Sequence, residues 1–215
     1  EVMSSDWSSD VCSSDLKLYL GSGNGATFGP ATDPGPADVW YFDPATDQFK
    51  QPYTIDGMQI DRYRVIGTKL MIPGHTPLES WDTGNFYVLE SGGWEKKRTL
   101  PDAMHNYDLR LHRGRLFAAL GTPEGAGVAV STNLGRSWKL HHMPGMRSYT
   151  LVRIGTDIYV SNFNTVLCRF TGKGFERVEG VEMFPEAPEP HPEARVGTRL
   201  MVRPVVFRSR AVYIG

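Results

Sequence analysis

The sequence has few cysteines and no long apolar run. Its 215 residues contain 2 cysteines, Cys12 and Cys168. No stretch of about 18 consecutive apolar residues occurs, which excludes a membrane-spanning helix. No positively charged segment followed by an apolar one indicates a secretory signal peptide. We therefore predict a protein that does not associate with membranes.

The sequence also lacks an excess of charge of one sign and motifs that bind a metal or a cofactor. The 23 Lys and Arg residues nearly balance the 24 Asp and Glu residues, so the basic surface that binds nucleic acid is not expected. His141 and His142 are adjacent, and His112 and His191 stand alone, so none has metal-ligand spacing. The segment GSGNG lacks the lysine and following helix of a phosphate-binding loop. We predict no metal and no cofactor.

Turn-forming and apolar residues, in contrast, are plentiful. The chain is 40% hydrophobic and 11% aromatic, and it contains 23 Gly and 15 Pro. This composition is typical of a globular domain with a buried core and many turns.

Residues 1–16 differ from the rest in composition. Their segment DWSSDVCSSDL, residues 6–16, matches one reading frame of a common sequencing-library adapter. We expect residues 1–16 to be a non-native leader and residues 17–215 to be the protein domain. A natural Ser/Asp-rich leader is the alternative. Without Cys12, Cys168 is left alone and no intrachain disulfide is expected.

Three segments align without gaps after residue 57. They are residues 58–70, 104–116 and 146–158, with sequences MQIDRYRVIGTKL, MHNYDLRLHRGRL and MRSYTLVRIGTDI. Each has alternating apolar residues, a glycine-marked turn and a second apolar stretch, which predicts two antiparallel strands.

A further strand and a turn with a closing aromatic residue follow each aligned segment, and one such unit also precedes the first aligned segment. The aromatic residues Phe49, Trp94, Trp138 and Phe175 are spaced by 45, 44 and 37 residues. A period of this length built only from short strands is typical of one β-propeller blade. We therefore predict an all-β fold, an incomplete β-propeller with strands for about four blades.

The repeat predicts how the two ends of the domain are placed. In that register, residues 17–21 are the second strand of a blade, and its first strand would fall near residues 9–15. Residues 205–215 read as the first two strands of another blade. We expect the chain to be truncated on both sides.

The turn STNLGRSW, residues 131–138, resembles the Asp-box turn of sialidase-like propellers, usually written Ser-x-Asp-x-Gly-x-Thr-Trp. Ser131, Gly135 and Trp138 match that pattern, whereas Asn133 stands in the place of its aspartate and Ser137 in the place of its threonine. The resemblance implies a propeller fold and a structural turn away from the substrate. It also implies an extracellular or periplasmic location, because many such propellers are exported.

The strand order predicts that the connections between second and third strands lie on the same face as those between blades. Two of these loops, residues 21–38 and 73–85, are longer than closure requires. Long loops are often functional, but tolerated surface insertions are the alternative.

Polar side chains that vary in the aligned columns could form a pocket on this face. The candidate ligand-binding residues are His75, Glu79, Asp82, His105, Asp108, Arg147 and Tyr149. Solvated rim residues are the other interpretation. The recurring methionines, Met58, Met104 and Met146, are interpreted as core.

Two functions remain open from the sequence. The first is a propeller scaffold of unassigned activity whose loop face binds a carbohydrate or a protein. The second, implied by the resemblance, is a sialidase-like glycoside hydrolase whose catalytic set lies partly in missing blades. Arg62, Arg147 and Arg203 would lie near its substrate, and Tyr107 or Tyr149 would be the phenol. The Arg-Ile-Pro type motif of that family is absent, since no arginine precedes Ile72.

Overall fold

Seventeen β-strands form the regular structure of the residues that the computed structural model describes, which are 17–22, 36–75, 82–145, 147–162, 167–179, 203–207 and 210–214. The first sheet contains β1 (Leu18–Gly21), β2 (Ala37–Asp43) and β3 (Gln48–Ile55). The second contains β4 (Arg64–Ile66), β5 (Lys69–Pro73), β6 (Thr83–Glu90) and β7 (Gly93–Pro101).

The remaining strands form three more sheets. The third sheet contains β8 (His105–His112), β9 (Arg115–Thr122), β10 (Gly125–Ser131) and β11 (Lys139–Met143). The fourth contains β12 (Ser148–Ile154), β13 (Asp157–Asn162), β14 (Leu167–Phe170) and β15 (Phe175–Arg177). The fifth contains β16 (Arg203–Phe207) and β17 (Arg210–Ile214).

Within every sheet the strands are antiparallel and follow chain order. The first strands of successive sheets are in contact, β4 with β8, β8 with β12 and β12 with β16. First strands side by side, with later strands of each sheet further out, are the arrangement of propeller blades. The predicted all-β, incomplete propeller fold is confirmed.

The predicted strand register also matches the sheets. The segment at residues 17–21 supplies β1, which pairs with β2 as the second strand of a blade does with the third. The segment at the other end supplies the pair β16 and β17. The leader, residues 1–16, lies outside the described residues.

Glycine turns connect the first and second strands of the three full sheets. Gly67, Gly114 and Gly155 have φ of 65°, 72° and 59°. Residues other than glycine adopt this left-handed backbone conformation at a cost in free energy, so glycine is favoured in these tight hairpins. All of these turns lie at the end of the sheets away from the loops between second and third strands.

The hydrophobic core lies between successive sheets and forms three clusters. Tyr87 belongs to the cluster of the first two sheets, Leu109 to that of the second and third, and Leu151 to that of the third and fourth; all three are fully buried. Burial of one such side chain stabilises the fold by about 1.5 to 3 kcal/mol. Packing between sheets therefore holds each blade against the next.

Backbone hydrogen bonds extend this contact to the loop face. Two of these bonds each stay within a single sheet. Met58 N donates to His75 O in the second sheet, and Met104 N donates to Gly121 O in the third, both at 2.9 Å. Asn106 N donates to Gly74 O at 2.8 Å and so joins the third sheet to the second. The two methionines are half-buried in this repeated position, while Met146 lies outside the described residues.

Candidate functional site

Polar and aromatic side chains meet on the loop face, where β5 ends and where β4, β8 and β12 begin. We call this group the axial cluster, and its members are Gln59, Asp61, His75, His105, Tyr107, Arg147 and Tyr149. The group forms because the aligned segments place equivalent positions of neighbouring blades side by side. Asp61, Tyr107 and Tyr149 share one column of the repeat.

Two imidazole rings form the buried base of the axial cluster. The rings of His75 and His105 are stacked, with centroids 4.2 Å apart and an interplanar angle of 18°. A bridge between the two residues holds their backbones together. The Tyr107 ring contacts that of His75 edge-on at 5.0 Å. Both histidines are less than a tenth exposed, so the stack is shielded from solvent.

Arg147 and Tyr149 form the more exposed part of the cluster and contact the buried Tyr107. Arg147 Nη1 donates a hydrogen bond of 2.9 Å to the Tyr107 hydroxyl. The Tyr149 ring packs edge-on against that of Tyr107, with centroids 4.5 Å apart. Arg147 and Tyr149 are half-buried. Among the described residues, no carboxylate lies within salt-bridge distance of Arg147.

Burial determines the protonation states of the cluster. It lowers the pKa of His75 to about 4, and the charge of Arg147 acts in the same direction. Burial, together with His75 and Arg147, lowers the pKa of His105 to about 3. Both imidazoles are therefore neutral at pH 7. Burial also raises the pKa of both phenols, which keeps them protonated as hydrogen-bond donors.

Asp61 is the acidic member of the cluster. Its carboxylate accepts a hydrogen bond of 2.8 Å from the Gln59 amide. Burial raises the pKa of Asp61, against the effects of Gln59 and of the Arg62 charge. Its negative charge in turn contributes to the raised pKa of Tyr107 and Tyr149.

Several buried polar atoms of this region have no hydrogen-bond partner among the described residues. They are His75 Nδ1, His105 Nδ1, Asn106 Oδ1 and Ser148 Oγ. An unsatisfied buried polar atom costs about 1 to 3 kcal/mol. Ordered water is a common partner of such buried atoms.

Asp108 lies beside the axial cluster, but its carboxylate binds residues outside that cluster. Its fully buried carboxylate binds Arg62 at 3.1 Å and Arg64 at 2.7 Å, and it accepts a hydrogen bond of 2.9 Å from Leu151 N. Burial would raise the pKa of Asp108, but the two arginines outweigh it and lower the pKa. The Asp108 carboxylate is therefore enclosed within the fold, where its oxygens join three successive sheets.

The structure therefore brings together four of the seven predicted ligand-binding residues: His75, His105, Arg147 and Tyr149. Asp82 is exposed at the start of β6, where its carbonyl oxygen accepts a hydrogen bond from Asp102. Glu79 lies outside the described residues.

The turn at residues 131–138 is held by a local hydrogen-bond network. Ser131 Oγ accepts hydrogen bonds from Asn133 N at 3.2 Å and Gly135 N at 2.8 Å, and Asn133 Oδ1 accepts one from Ser137 N at 2.9 Å. Trp138 Nε1 donates to Thr99 Oγ1 at 3.0 Å in the second sheet. The turn thus stabilises the third sheet and its contact with the second.

The described residues contain no group of three or more His, Cys, Asp or Glu side chains placed to hold a metal ion. The rings of His75 and His105 are nearly parallel. Lone pairs in parallel ring planes do not converge on one ion, so this pair does not form half of a tetrahedral site.

Cys168 is buried and free. No described helix is long and apolar enough to span a membrane.

Two functional contacts were missed by sequence reasoning. Arg62 and Arg64 both bind Asp108; strand alternation places residues two apart on one face, but it does not identify the carboxylate that they share. Asp61 is not among the candidate residues, although it shares a column of the repeat with Tyr107 and Tyr149, which could have indicated its proximity to them.

Comparisons with known proteins identify no family. No family model matches the chain, and no curated protein matches it. A structure from a study of two prolyl endopeptidases is similar to it, with 14% sequence identity and a TM-score of 0.42. The match covers 66% of this chain and 22% of that chain, so this chain spans about a fifth of the solved protein. The propeller-type fold is therefore assigned from the sheet order and the contacts between first strands.

Proposed function

We propose that this protein is a β-propeller scaffold that binds a glycan at the axial cluster. The observation that carries the proposal is the half-buried Arg147, which has no carboxylate partner among the described residues and adjoins two tyrosines and several unsatisfied polar atoms. Sugars present hydroxyls that donate and accept hydrogen bonds, together with C–H faces that pack on aromatic rings.

The chemistry of the cluster supports a sugar ligand. Arg147 and the Gln59 amide are donors, the Asp61 carboxylate is an acceptor, and the tyrosine hydroxyls are both. The Tyr149 ring is half-buried and leaves part of its surface for packing against a ligand. Polar groups of both kinds beside an aromatic ring are typical of small-molecule sites.

A protein ligand is less well supported. Among the described residues, the large apolar side chains that are exposed are Phe49, Val65 and Leu134. They belong to β3, to β4 and to the turn after β10, so they do not form one contiguous apolar patch.

The hydrolase alternative is also less well supported. Arg62, one of the arginines that would clamp a carboxylate, is bound to Asp108 between two sheets. The pKa of Tyr107 is raised by burial, which disfavours the phenolate that a nucleophile requires. These two observations favour binding over hydrolysis.

The test is a glycan array probed with the full chain, followed by titration of any retained glycan. We expect Arg147→Ala and Tyr149→Ala to weaken binding about tenfold or more, as expected for loss of a charged hydrogen bond or a packed ring. Arg136→Ala, which removes an exposed arginine from the opposite face, is the matched control and should bind as the unchanged protein does.

Three outcomes would contradict the proposal. The first is an array that retains no glycan, and the second is equal affinity in Arg147→Ala and Arg136→Ala. The third is turnover of chromogenic sialosides or hexosides, which would favour the hydrolase.

A further inference from the structure

A second concave site lies on the opposite face, between the third and fourth sheets. The hairpin turn between β8 and β9, the hairpin turn between β12 and β13, and the turn between β14 and β15 enclose a groove of about 460 Å³. Ligand sites for small molecules commonly have volumes of about 300 to 1,000 Å³. We call this the turn-face groove.

The turn-face groove is rich in arginine. Arg113, Arg115 and Arg169 line it, and Asp157 is its only carboxylate among the described lining residues. The groove therefore has an excess of positive charge although the whole chain is close to neutral. Charge concentrated in a concave surface attracts anions more strongly than the same charge spread over a flat one.

The guanidinium groups retain unused donors. Arg169 Nη1 is 3.8 Å from Asp157 Oδ2, which is too long for a hydrogen bond. Arg115 donates one long hydrogen bond of 3.4 Å to Gly172 O and lies over the Phe170 ring. Each guanidinium has five donors, so most of them have no hydrogen-bond partner among the described residues.

Arg113 has an unusual backbone conformation. Its φ is 48°, in the left-handed region that favours Gly, Asn and Asp in a two-residue hairpin turn. An arginine there costs on the order of 1 kcal/mol relative to those residues. Its side chain is exposed at the mouth of the groove. Backbone strain of this kind is common at functional sites.

The pKa of the neighbouring His112 is affected by the positive charge of the groove. Burial is the first cause that lowers the pKa of His112, and the charges of Arg113 and Arg153 add to it. Arg153 extends the positive surface from β12, the first strand of the fourth sheet.

We propose that the turn-face groove binds a compact oxyanion with two or more negative charges, a phosphate or sulfate group of a small molecule. Guanidinium groups bind the oxygens of such groups in bidentate fashion. The volume of the groove suits a small ligand better than the surface of a macromolecule. This site is separate from the axial cluster and does not depend on the glycan proposal.

The test is isothermal titration of the full chain with inorganic pyrophosphate, inorganic phosphate, sulfate and acetate at constant ionic strength. We expect saturable binding of pyrophosphate or sulfate and none of acetate. Arg113→Ala and Arg169→Ala should each weaken that binding about tenfold or more, because each removes charged hydrogen bonds. Arg169→Lys keeps the charge but loses the bidentate geometry, so its affinity should lie between those of the alanine variant and the unchanged protein.

The control is Arg136→Ala, which removes one positive charge from a different turn on the same face. Its affinity should equal that of the unchanged protein. Inorganic phosphate carries about the same charge as sulfate at mildly alkaline pH, so tighter binding of phosphate than of sulfate there would assign a phosphoryl ligand, and the reverse a sulfuryl ligand. The proposal is overturned if neither pyrophosphate nor sulfate binds saturably, if acetate binds as tightly, or if Arg136→Ala and Arg169→Ala lose affinity equally.

Discussion

The imidazole rings of His75 and His105 are stacked across the boundary between the second and third sheets, with centroids 4.2 Å apart. Each ring has a buried Nδ1 without a hydrogen-bond partner among the described residues. Both rings are neutral at pH 7 because burial lowers their pKa. The contact between the two sheets therefore depends on two groups that resist protonation.

Acid is expected to destabilise the protein through this pair. The folded pKa of about 4 for His75 and about 3 for His105 lies below the unfolded value near 6.5. As pH falls below 6.5, the unfolded chain binds protons that the folded chain does not, so the free energy of unfolding decreases. Between pH 7 and pH 5 the loss should be roughly 2 kcal/mol for each histidine. Urea denaturation at the two pH values measures it.

A ring that cannot be protonated should reduce this pH dependence. His75→Phe keeps a planar ring in the stack, and about half of the pair's contribution should disappear. His142→Gln, which changes an exposed histidine of β11, is the matched control and should leave the dependence intact. Equal pH dependence in all three proteins would contradict the prediction.

The second prediction concerns the buried ion group of Asp108. Asp108→Ala leaves Arg62 and Arg64 without their carboxylate and removes the acceptor of Leu151 N. Removal of one partner from a buried pair typically costs about 3 to 5 kcal/mol. The free energy of unfolding, measured by chemical denaturation, should fall by that amount.

A surface pair provides the control for Asp108. Glu90→Gln breaks the ion pair with Lys69, which is largely solvated. Exposed pairs contribute about 0 to 1 kcal/mol, so the variant should unfold nearly as the unchanged protein does. Similar losses in the two variants would show that the Asp108 network has no special role.

The third prediction concerns Gly74, whose carbonyl oxygen accepts the hydrogen bond of Asn106 N. A Cβ at this position would lie 1.6 Å from Asn85 Oδ1 and 2.5 Å from Asn85 O. Because the second of these is a backbone atom, the strand must shift, and Gly74→Ala should cost about 1 to 3 kcal/mol. A lower melting temperature would report this loss.

Gly92 offers the matched comparison for Gly74. A Cβ there meets no atom within 4 Å, and its φ is outside the left-handed region. Gly92→Ala should therefore be neutral or slightly stabilising, because alanine restricts the unfolded chain. A melting temperature lowered as much as in Gly74→Ala would show that the close approach to Asn85 is not the cause.

Local patterns were sufficient to predict the blades. Alternating apolar residues, glycine turns and closing aromatic residues recur with nearly constant spacing, and each is a property of neighbouring residues in the chain. The strand order of the second, third and fourth sheets follows from them. The pairing of β1 with β2 agrees with the register that the repeat predicts for the second and third strands of a blade.

The site required knowledge of contacts between blades. The columns of the repeat indicated that His105, Arg147 and Tyr149 lie on one face, because equivalent positions of neighbouring blades adjoin. The columns did not show that Asp108 forms a buried ion group. Its partners are the side chains of Arg64 and Arg62, which are 44 and 46 residues away in the chain. Alternation along a strand determines the face of a side chain, whereas packing between sheets determines whether that side chain is buried, paired or open to a ligand.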